Sequence, residues 1–407
     1  MESLQSLGIV EGEMTSSARW RSFFSMFTFA TMALYLQLKI TPVITNVAAD
    51  LGMATTSAGM LVSAFALVAL VLAAPAAAVM HKLGIKATLV LAGLIAIVGT
   101  IIGIVGGNVA AIMLSRALEG VSLAFGSVVG AAIIPRLFEG KGMGLAMGIW
   151  SLWTLPGNIV VFISAPLLYS AGGWRAIWIF ALAFEALSTL WLWLDFKIPA
   201  DSDQPAVMPE QGASTQRKPH MVSAMFVALC MLFWTIAMGS FMVYYPTYLQ
   251  AVKGVSTMAA SIITMVFSII AAPFGIWFGV LSEKLRARKW FICIPFAIVA
   301  VLYATIGFSM SASIVPTVVF IIIFGICGAA IPMGIYALVP ELARDRKKTD
   351  YAMGVTGIGM QAGNVLVGMC GPIIASLGYN GYALAIIVPT SILAAVGVLL
   401  AKSERAD

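Results

Sequence analysis

Four charged side chains lie within otherwise apolar stretches of the sequence, away from the loops. They are Lys39, Arg116, Glu119 and Glu185. A charge inside a lipid bilayer is costly, and such residues usually mark a pathway for a substrate, an ion or a proton. We therefore treat these four residues as the first candidates for ion chemistry.

Lys39 is the strongest candidate for binding an anion. It has no acidic neighbour within one turn of its own helix, so the sequence predicts a cation without a local counter-charge. Such a cation beside a water-filled cavity would attract an anion. The alternative is that Lys39 lies near the end of its helix and extends its ammonium group to the membrane surface.

Arg116 and Glu119 are three residues apart, so they share a helix face and are expected to pair. One interpretation is a structural ion pair. In the other, Glu119 takes up a proton, releases Arg116 and couples transport to the proton gradient. For Glu185, packing or a neutral, protonated state is the favoured interpretation, and direct proton coupling is the alternative.

Uncharged polar and aromatic residues within the apolar stretches are candidates to line a substrate cavity. Tyr35 shares a helix face with Lys39, because the two are four residues apart. The alternative roles are anchoring at the membrane surface for the aromatic residues and hydrogen bonding between helices for the amides. The candidates are Tyr35, Trp153, Asn158, Tyr336, Gln361 and Asn364.

The elements that must position these residues are membrane-spanning helices. The chain has 407 residues, of which 61% are hydrophobic and 10% are charged, against about 25% charged in ordinary soluble domains. A stretch of about 20 apolar residues is long enough to cross a bilayer as a helix. We predict an all-α integral membrane protein with twelve spans, near 21–47, 56–80, 86–106, 109–135, 143–170, 174–195, 221–250, 257–281, 290–310, 314–340, 351–378 and 381–401.

The basic residues predict the orientation of these spans. With the N-terminus in the cytoplasm, 19 of the 23 basic residues fall on the cytoplasmic side, and only Arg175 and Lys253 fall in outer loops. This distribution follows the positive-inside rule and predicts two cytoplasmic termini. Basic residues dispersed among short loops do not form the single basic face of a nucleic-acid-binding protein. We expect a monomer in the plasma membrane (the inner membrane of a bacterium), with the lipid bilayer but no nucleic acid as a partner.

A polar segment and an internal repeat divide the chain into two halves. Residues 196–220 predict a cytoplasmic linker between six-helix bundles at 1–195 and 221–407. A shift of 206 residues aligns Gly157-Asn158 with Gly363-Asn364. The same shift aligns Pro166 with Pro372. Two parallel six-helix repeats are a plan used by secondary transporters.

Several loop and helix motifs resemble those of the major facilitator superfamily. Residues 279–288 are similar to the family's G-x-L-x-D-R-x-G-R-K motif. Residues 77–86 resemble the same motif less completely, with His81 at the position where the family has Asp. The sequence 116–120 resembles its R-x-x-x-G element, and 172–175 resembles its G-W-R element. The resemblance implies the major facilitator fold, with spans 1, 4, 7 and 10 around a central cavity and spans 3, 6, 9 and 12 outside. It also implies inner-gate loops containing His81, Lys82, Gly84, Glu283, Lys284 and Arg288.

Within that superfamily, residues 39–42 (Lys-Ile-Thr-Pro) resemble a segment of the cyanate and nitroimidazole permeases. The Gly-Asn pairs at 157–158 and 363–364 are similar to part of the nitrate porter signature. Those porters place an arginine in the second and eighth spans, and 56–80 and 257–281 contain no charge here. The sequence therefore argues against nitrate as the substrate.

Two transport functions remain after the other classes are excluded. The spans contain no set of residues suited to enzyme catalysis or metal binding, and the chain has no G-x-x-x-x-G-K-[ST] loop, so we expect no cofactor. The first function is proton-coupled uptake of a small organic or inorganic anion, with Glu119 carrying the proton. The alternative is proton-driven efflux of drugs or other hydrophobic compounds, supported by 23 methionines that suit adaptable apolar surfaces. Sodium coupling and exchange are the alternatives to coupling by protons.

Overall fold

The computed structural model describes residues 9–10, 14–73, 75–138, 142–199, 220–285, 289–311, 313–343 and 346–401. Within these residues the fold is all-helical apart from one two-residue parallel pair, β1 (Ile9–Val10) with β2 (Ile198–Pro199). The predicted all-α class is confirmed. Most of the linker proposed at 196–220 lies outside the described residues.

The helices of the first half follow the predicted apolar stretches closely. A 3-10 turn at Thr41–Val43 separates the first two of them. The fifth and sixth predicted spans form one continuous segment that bends at Gly172 and Gly173. The helices are α1 (Ser16–Leu38), α2 (Ile44–Asp50), α3 (Met60–Ala73), α4 (Ala76–Leu83), α5 (Ile85–Gly106), α6 (Val109–Leu137), α7 (Met143–Trp150) and α8 (Thr154–Asp195).

The second half also consists of helices, with breaks in regular geometry near its end. Gly378 has a non-helical backbone within one helix, and a π-helical turn (Ala383–Ile387) follows that helix. The helices are α9 (Met221–Lys253), α10 (Thr257–Leu285), α11 (Trp290–Thr305), α12 (Val315–Ala343), α13 (Arg346–Gly368), α14 (Gly371–Tyr382) and α15 (Val388–Leu400).

Nine helical segments of the described residues are long and apolar enough to cross a membrane. One of these nine segments, 145–195, contains two predicted spans. Helices α11 and α13 occupy two further predicted spans but are not among the nine. The count of twelve spans therefore stays a prediction, although a helix occupies each predicted stretch.

The chain forms two compact units that do not coincide with the predicted halves. The first unit comprises residues 1–39 and 64–213, and the second comprises residues 40–63 and 214–407. In the first unit, α1 packs against α6 and α8, and α5 packs against the same two helices. In the second unit, the 3-10 turn at Thr41–Val43 packs against α9 and α10.

Candidate functional site

The candidate site lies in the first unit, where α1 ends against α6. Pro42 has no backbone N–H, and its ring opposes continuation of the helix. The last carbonyl groups of a helix lack partners within it and carry the negative end of its dipole. Arg116 on α6 donates hydrogen bonds to two of them, the oxygens of Leu36 at 2.5 Å and Gln37 at 2.8 Å.

Glu119 is the centre of the site, because side chains from four other positions donate to its carboxylate. Its Oε1 accepts hydrogen bonds from Lys39 Nζ at 2.8 Å, from Ser115 Oγ at 2.8 Å and from Thr100 Oγ1 at 3.0 Å. Its Oε2 accepts from Arg116 at 2.7 Å. Two cations and two hydroxyls therefore stabilise the ionised form of this carboxylate.

Lys39 lies at the C-terminal end of α1 and is fully buried. Its ammonium group contacts Glu119 and lies 4.1 Å from the ring centre of Trp178, in the geometry of a cation–π contact. The expectation of a cation without a counter-charge is therefore wrong, because Glu119, 80 positions away in the sequence, supplies the carboxylate. Because Lys39 is fully buried, its ammonium group does not extend to the membrane surface in this conformation.

The predicted pairing of Arg116 with Glu119 is observed, at 2.7 Å, and both side chains are fully buried. The guanidinium also lies 4.7 Å from the ring centre of Phe65 on α3. This close approach of α3 and α6 depends on Gly120, since a Cβ atom there would lie 2.2 Å from the Phe65 carbonyl oxygen. The glycine of the R-x-x-x-G element thus permits the packing that covers the arginine.

Glu185 on α8 joins the same network through Thr100 on α5. Thr100 Oγ1 lies 2.7 Å from Glu185 Oε1, and Glu185 is fully buried. Its Oε2 is buried and has no hydrogen-bond partner among the described residues. We call Lys39, Thr100, Ser115, Arg116, Glu119, Trp178 and Glu185 the charge cluster.

Sequence analysis did not identify three members of the charge cluster, Thr100, Ser115 and Trp178. Ser115 precedes Glu119 by four residues, so its position on the same helix face was a usable signal. Thr100 and Trp178 lie on spans 3 and 6, which the family resemblance put outside the cavity. Trp178 Nε1 donates to Ser115 Oγ at 3.0 Å, so the serine hydrogen is directed to Glu119.

The other predicted cavity residues of the first unit lie apart from these contacts. The Tyr35 ring is buried against Phe180 and Phe184, with centroid distances of 5.5 and 5.7 Å. Trp153 is half-buried and stacks with Trp150. Asn158 is buried on α8. Their substrate-binding role stays a prediction.

Two of the three predicted cavity residues of the second unit contact each other. Gln361 on α13 is buried and accepts a hydrogen bond from Asn364 Nδ2 at 3.1 Å. Tyr336 on α12 is 43% exposed. Both amides lie on α13, so this hydrogen bond is within one helix and does not test the alternative of hydrogen bonding between helices. A role in substrate binding stays a prediction.

In the second unit, an aromatic cluster stands where the repeat would put the charges. Ile321 and Phe324 occupy the positions that match Arg116 and Glu119. The Phe324 ring packs against other rings at centroid distances of 5.1–5.7 Å, and those rings are Trp234, Phe241, Phe267, Tyr303 and Phe320. Among the described residues of this unit, these two positions contain an isoleucine and a phenylalanine and no ion pair.

The predicted inner-gate loops are described only in part. Gly84 separates α4 from α5 with φ at +81°, a backbone conformation that favours glycine. Lys82 is exposed on α4, whereas the side chain of His81 lies outside the described residues. The side chains of Glu283 and Lys284 and the whole of Arg288 also lie outside the described residues. The gating role of these six residues stays a prediction.

The family of the chain follows from comparison with known proteins. The Major Facilitator Superfamily model matches residues 22–316 and, in a second match, residues 259–407. The chain therefore belongs to the major facilitator superfamily. This membership makes the protein a multi-pass membrane transporter for a small-molecule substrate, not an enzyme.

Two solved structures of a bacterial homolog of the human lysosomal transporter Spinster have a similar fold. The inward-facing, unoccupied structure has a TM-score of 0.70 at 17% sequence identity, covering 95% of this chain and 96% of that chain. The inward-facing, occupied structure has a TM-score of 0.68 with the same identity and coverage. The likeness confirms the predicted major facilitator fold, the architecture of transport by alternating access. It does not identify the anion-transporting group suggested by residues 39–42.

Proposed function

We propose that this transporter carries a small organic or inorganic anion inward together with a proton. The observation that supports this proposal is the arrangement of Lys39 and Arg116, two fully buried cations, on the single carboxylate of Glu119. Removing charges from water costs several kcal/mol per ion, and apolar residues of similar volume often stabilise a fold as well or better. A functional use therefore accounts for the charges better than stability does.

The geometry allows an anion to exchange places with Glu119. Arg116 presents a planar fork that suits carboxylates and other oxyanions, and Lys39 presents a compact positive charge. An anion that takes over these two donors leaves Glu119 without its counter-charges. Glu119 then becomes a stronger base and binds a proton. Anion binding and proton binding thereby favour each other, and a titrating carboxylate favours protons over sodium as the coupling ion.

An efflux antiporter for hydrophobic compounds is the second candidate. The aromatic cluster around Phe324 supports it, because a surface of rings suits apolar or cationic substrates. Against it, both carboxylates of the charge cluster have partners within the protein, and lipophilic cations need an acid that is available to them.

A thermal-shift screen of the purified protein separates the two candidates. The probes are small carboxylates, inorganic anions and lipophilic cations, each tested on the wild type, Lys39→Ala and Lys197→Ala. We expect one or more anions to stabilise the wild type and Lys197→Ala, whose lysine is exposed, but not Lys39→Ala. Arg116 still pairs with Glu119 in Lys39→Ala, so that variant keeps a partner for the buried carboxylate. Stabilisation by lipophilic cations alone would contradict the proposal.

A further inference from the structure

The Thr100 hydroxyl lies between two carboxylates. Its oxygen is 3.0 Å from Glu119 Oε1 and 2.7 Å from Glu185 Oε1, and all three side chains are fully buried. Both distances are those of O–H···O hydrogen bonds. A threonine hydroxyl has one hydrogen, so it can donate to only one of the two carboxylates.

The count of hydrogens favours a proton on one of the two acids. If both were ionised, the two contacts of Thr100 would have to share one hydrogen between two negatively charged carboxylates. A proton on Glu185 makes both contacts full hydrogen bonds, since Glu185 then donates to Thr100 and Thr100 donates to Glu119. With Glu119 ionised, this is the arrangement that gives each contact a hydrogen of its own.

The surroundings of the two acids favour Glu185 as the protonated one. Glu119 contacts the two cations at 2.8 and 2.7 Å. The side chain of Glu185 has only Thr100 as a hydrogen-bond partner among the described residues, and its Oε2 is buried with none. An unpartnered oxygen costs less on a neutral acid than on a carboxylate. The polar groups that the packed helices present to Glu185 are Tyr35 and Lys39 from α1, Thr100 from α5, and Arg116 and Glu119 from α6.

We infer that Glu185 binds the transported proton and exchanges it with Glu119 through the hydroxyl of Thr100. In this exchange the Glu185 O–H bond breaks as an O–H bond forms on Thr100 Oγ1. The original Thr100 hydrogen moves to Glu119 Oε1, so the negative charge passes from Glu119 to Glu185. This inference rests on the proposed function and assigns the proton site within it.

The charges of the cluster explain why the proton and an anion bind together. Lys39 and Arg116 balance Glu119 and Glu185 when both acids are ionised. One proton on Glu185 leaves one uncompensated positive charge in a buried site, and one bound monovalent anion neutralises it. The cluster with both ligands and the cluster with neither are then neutral, whereas the protonated cluster inferred for this structure carries one positive charge that an anion can neutralise. Each ligand therefore increases the affinity for the other.

Infrared spectroscopy of the purified full-length protein tests the proton site without a known substrate. At neutral pH, the wild type is expected to show the carbonyl band of a protonated carboxylic acid that Glu185→Gln removes. Asp50→Asn, which changes an exposed carboxylate, should leave the band unchanged. Thr100→Val should move the band, because the acid loses its hydrogen-bond acceptor, and Thr100→Ser should restore its position. A spectrum that neither Glu185→Gln nor Thr100→Val alters would overturn the inference.

Transport in proteoliposomes tests the exchange step, with the most stabilising anion of the thermal-shift screen as the probe. We expect Thr100→Val to lose pH-gradient-driven accumulation by on the order of a hundredfold, to keep anion exchange, and to recover accumulation in Thr100→Ser. Full accumulation in Thr100→Val would refute the exchange through Thr100. A screen without any stabilising anion would count against the proposed function, whereas the infrared result would still decide the protonation of Glu185.

Discussion

At the scale of single residues, Glu119 is the carboxylate that both buried cations contact. It contacts Lys39 and Arg116 directly, and the Ser115 and Thr100 hydroxyls complete its hydrogen bonding. A carboxylate with four donors holds both cations in the empty protein. The same carboxylate is left without counter-charges when an anion binds them. In the proposed mechanism, Glu119 is therefore the residue that links anion binding to proton binding.

Substitution of Glu119 by glutamine separates proton coupling from substrate movement. An amide cannot take up the proton, but the two cations remain available to an anion. We expect Glu119→Gln to lose pH-gradient-driven accumulation and to retain counterflow exchange of the same anion. Accumulation at the wild-type level would contradict the role of Glu119. Arg21→Gln is the control, since the Arg21–Asp195 pair is partly exposed and 3.6 Å long.

At the scale of helices, the end of α1 and the packing of α6 bring the charge cluster together. Pro42 helps to end the helix two turns before the predicted span ends, and the freed carbonyl groups receive Arg116. Sequence analysis predicted the apolar helices well, because their length and composition are local properties. It did not predict the contact between Lys39 and Glu119, because that contact depends on how two distant helices pack.

Another close helix contact depends on glycines of the second unit. A Cβ atom on Gly368 would lie 2.1 Å from Ser63 Oγ and 2.4 Å from the Gly59 carbonyl oxygen. Ser63 Oγ also donates to the carbonyl oxygen of Val365 at 2.7 Å. Residues 59–63 and the end of α13 thus approach each other at backbone distance.

Alanine at Gly368 is expected to weaken this contact. Overpacking at such a site typically costs about 1–3 kcal/mol, so the purified Gly368→Ala variant should melt at a lower temperature than the wild type. Gly354→Ala, in the same helix, is the matched control, because nothing lies within 4 Å of its added Cβ atom. Equal melting temperatures for the two variants would show that the close approach does not contribute to stability.

At the scale of the whole molecule, the two repeats differ in chemistry. The first unit contains the charge cluster, whereas the positions of the second unit that match Arg116 and Glu119 are Ile321 and Phe324, and the Phe324 ring stacks on Phe320. The internal repeat stays a prediction, whereas the concentration of the four charges of the apolar stretches in the first half of the sequence agrees with the charge cluster of the first unit. Within the described residues, Ile321 and Phe324 stand where the first unit has the Arg116–Glu119 ion pair, so the proposed ion binding is assigned to the first unit.

The orientation of the molecule follows from its basic residues. Nineteen of 23 fall on one side of the predicted spans, so both termini should be cytoplasmic. A topology reporter fused after Asp407 should show a cytoplasmic location, as should one inserted between 201 and 219. A reporter inserted after Lys253 should show the outer side. An outer location for either of the first two reporters would contradict the predicted orientation.

The central claim is that two buried cations bind an anion whose uptake a proton drives. Its most direct test is pH-gradient-driven uptake into proteoliposomes of the anion that best stabilises the protein. We expect accumulation by the wild type and by Lys197→Ala, and none by Lys39→Ala prepared in the same way. Accumulation by Lys39→Ala at the wild-type rate would contradict it.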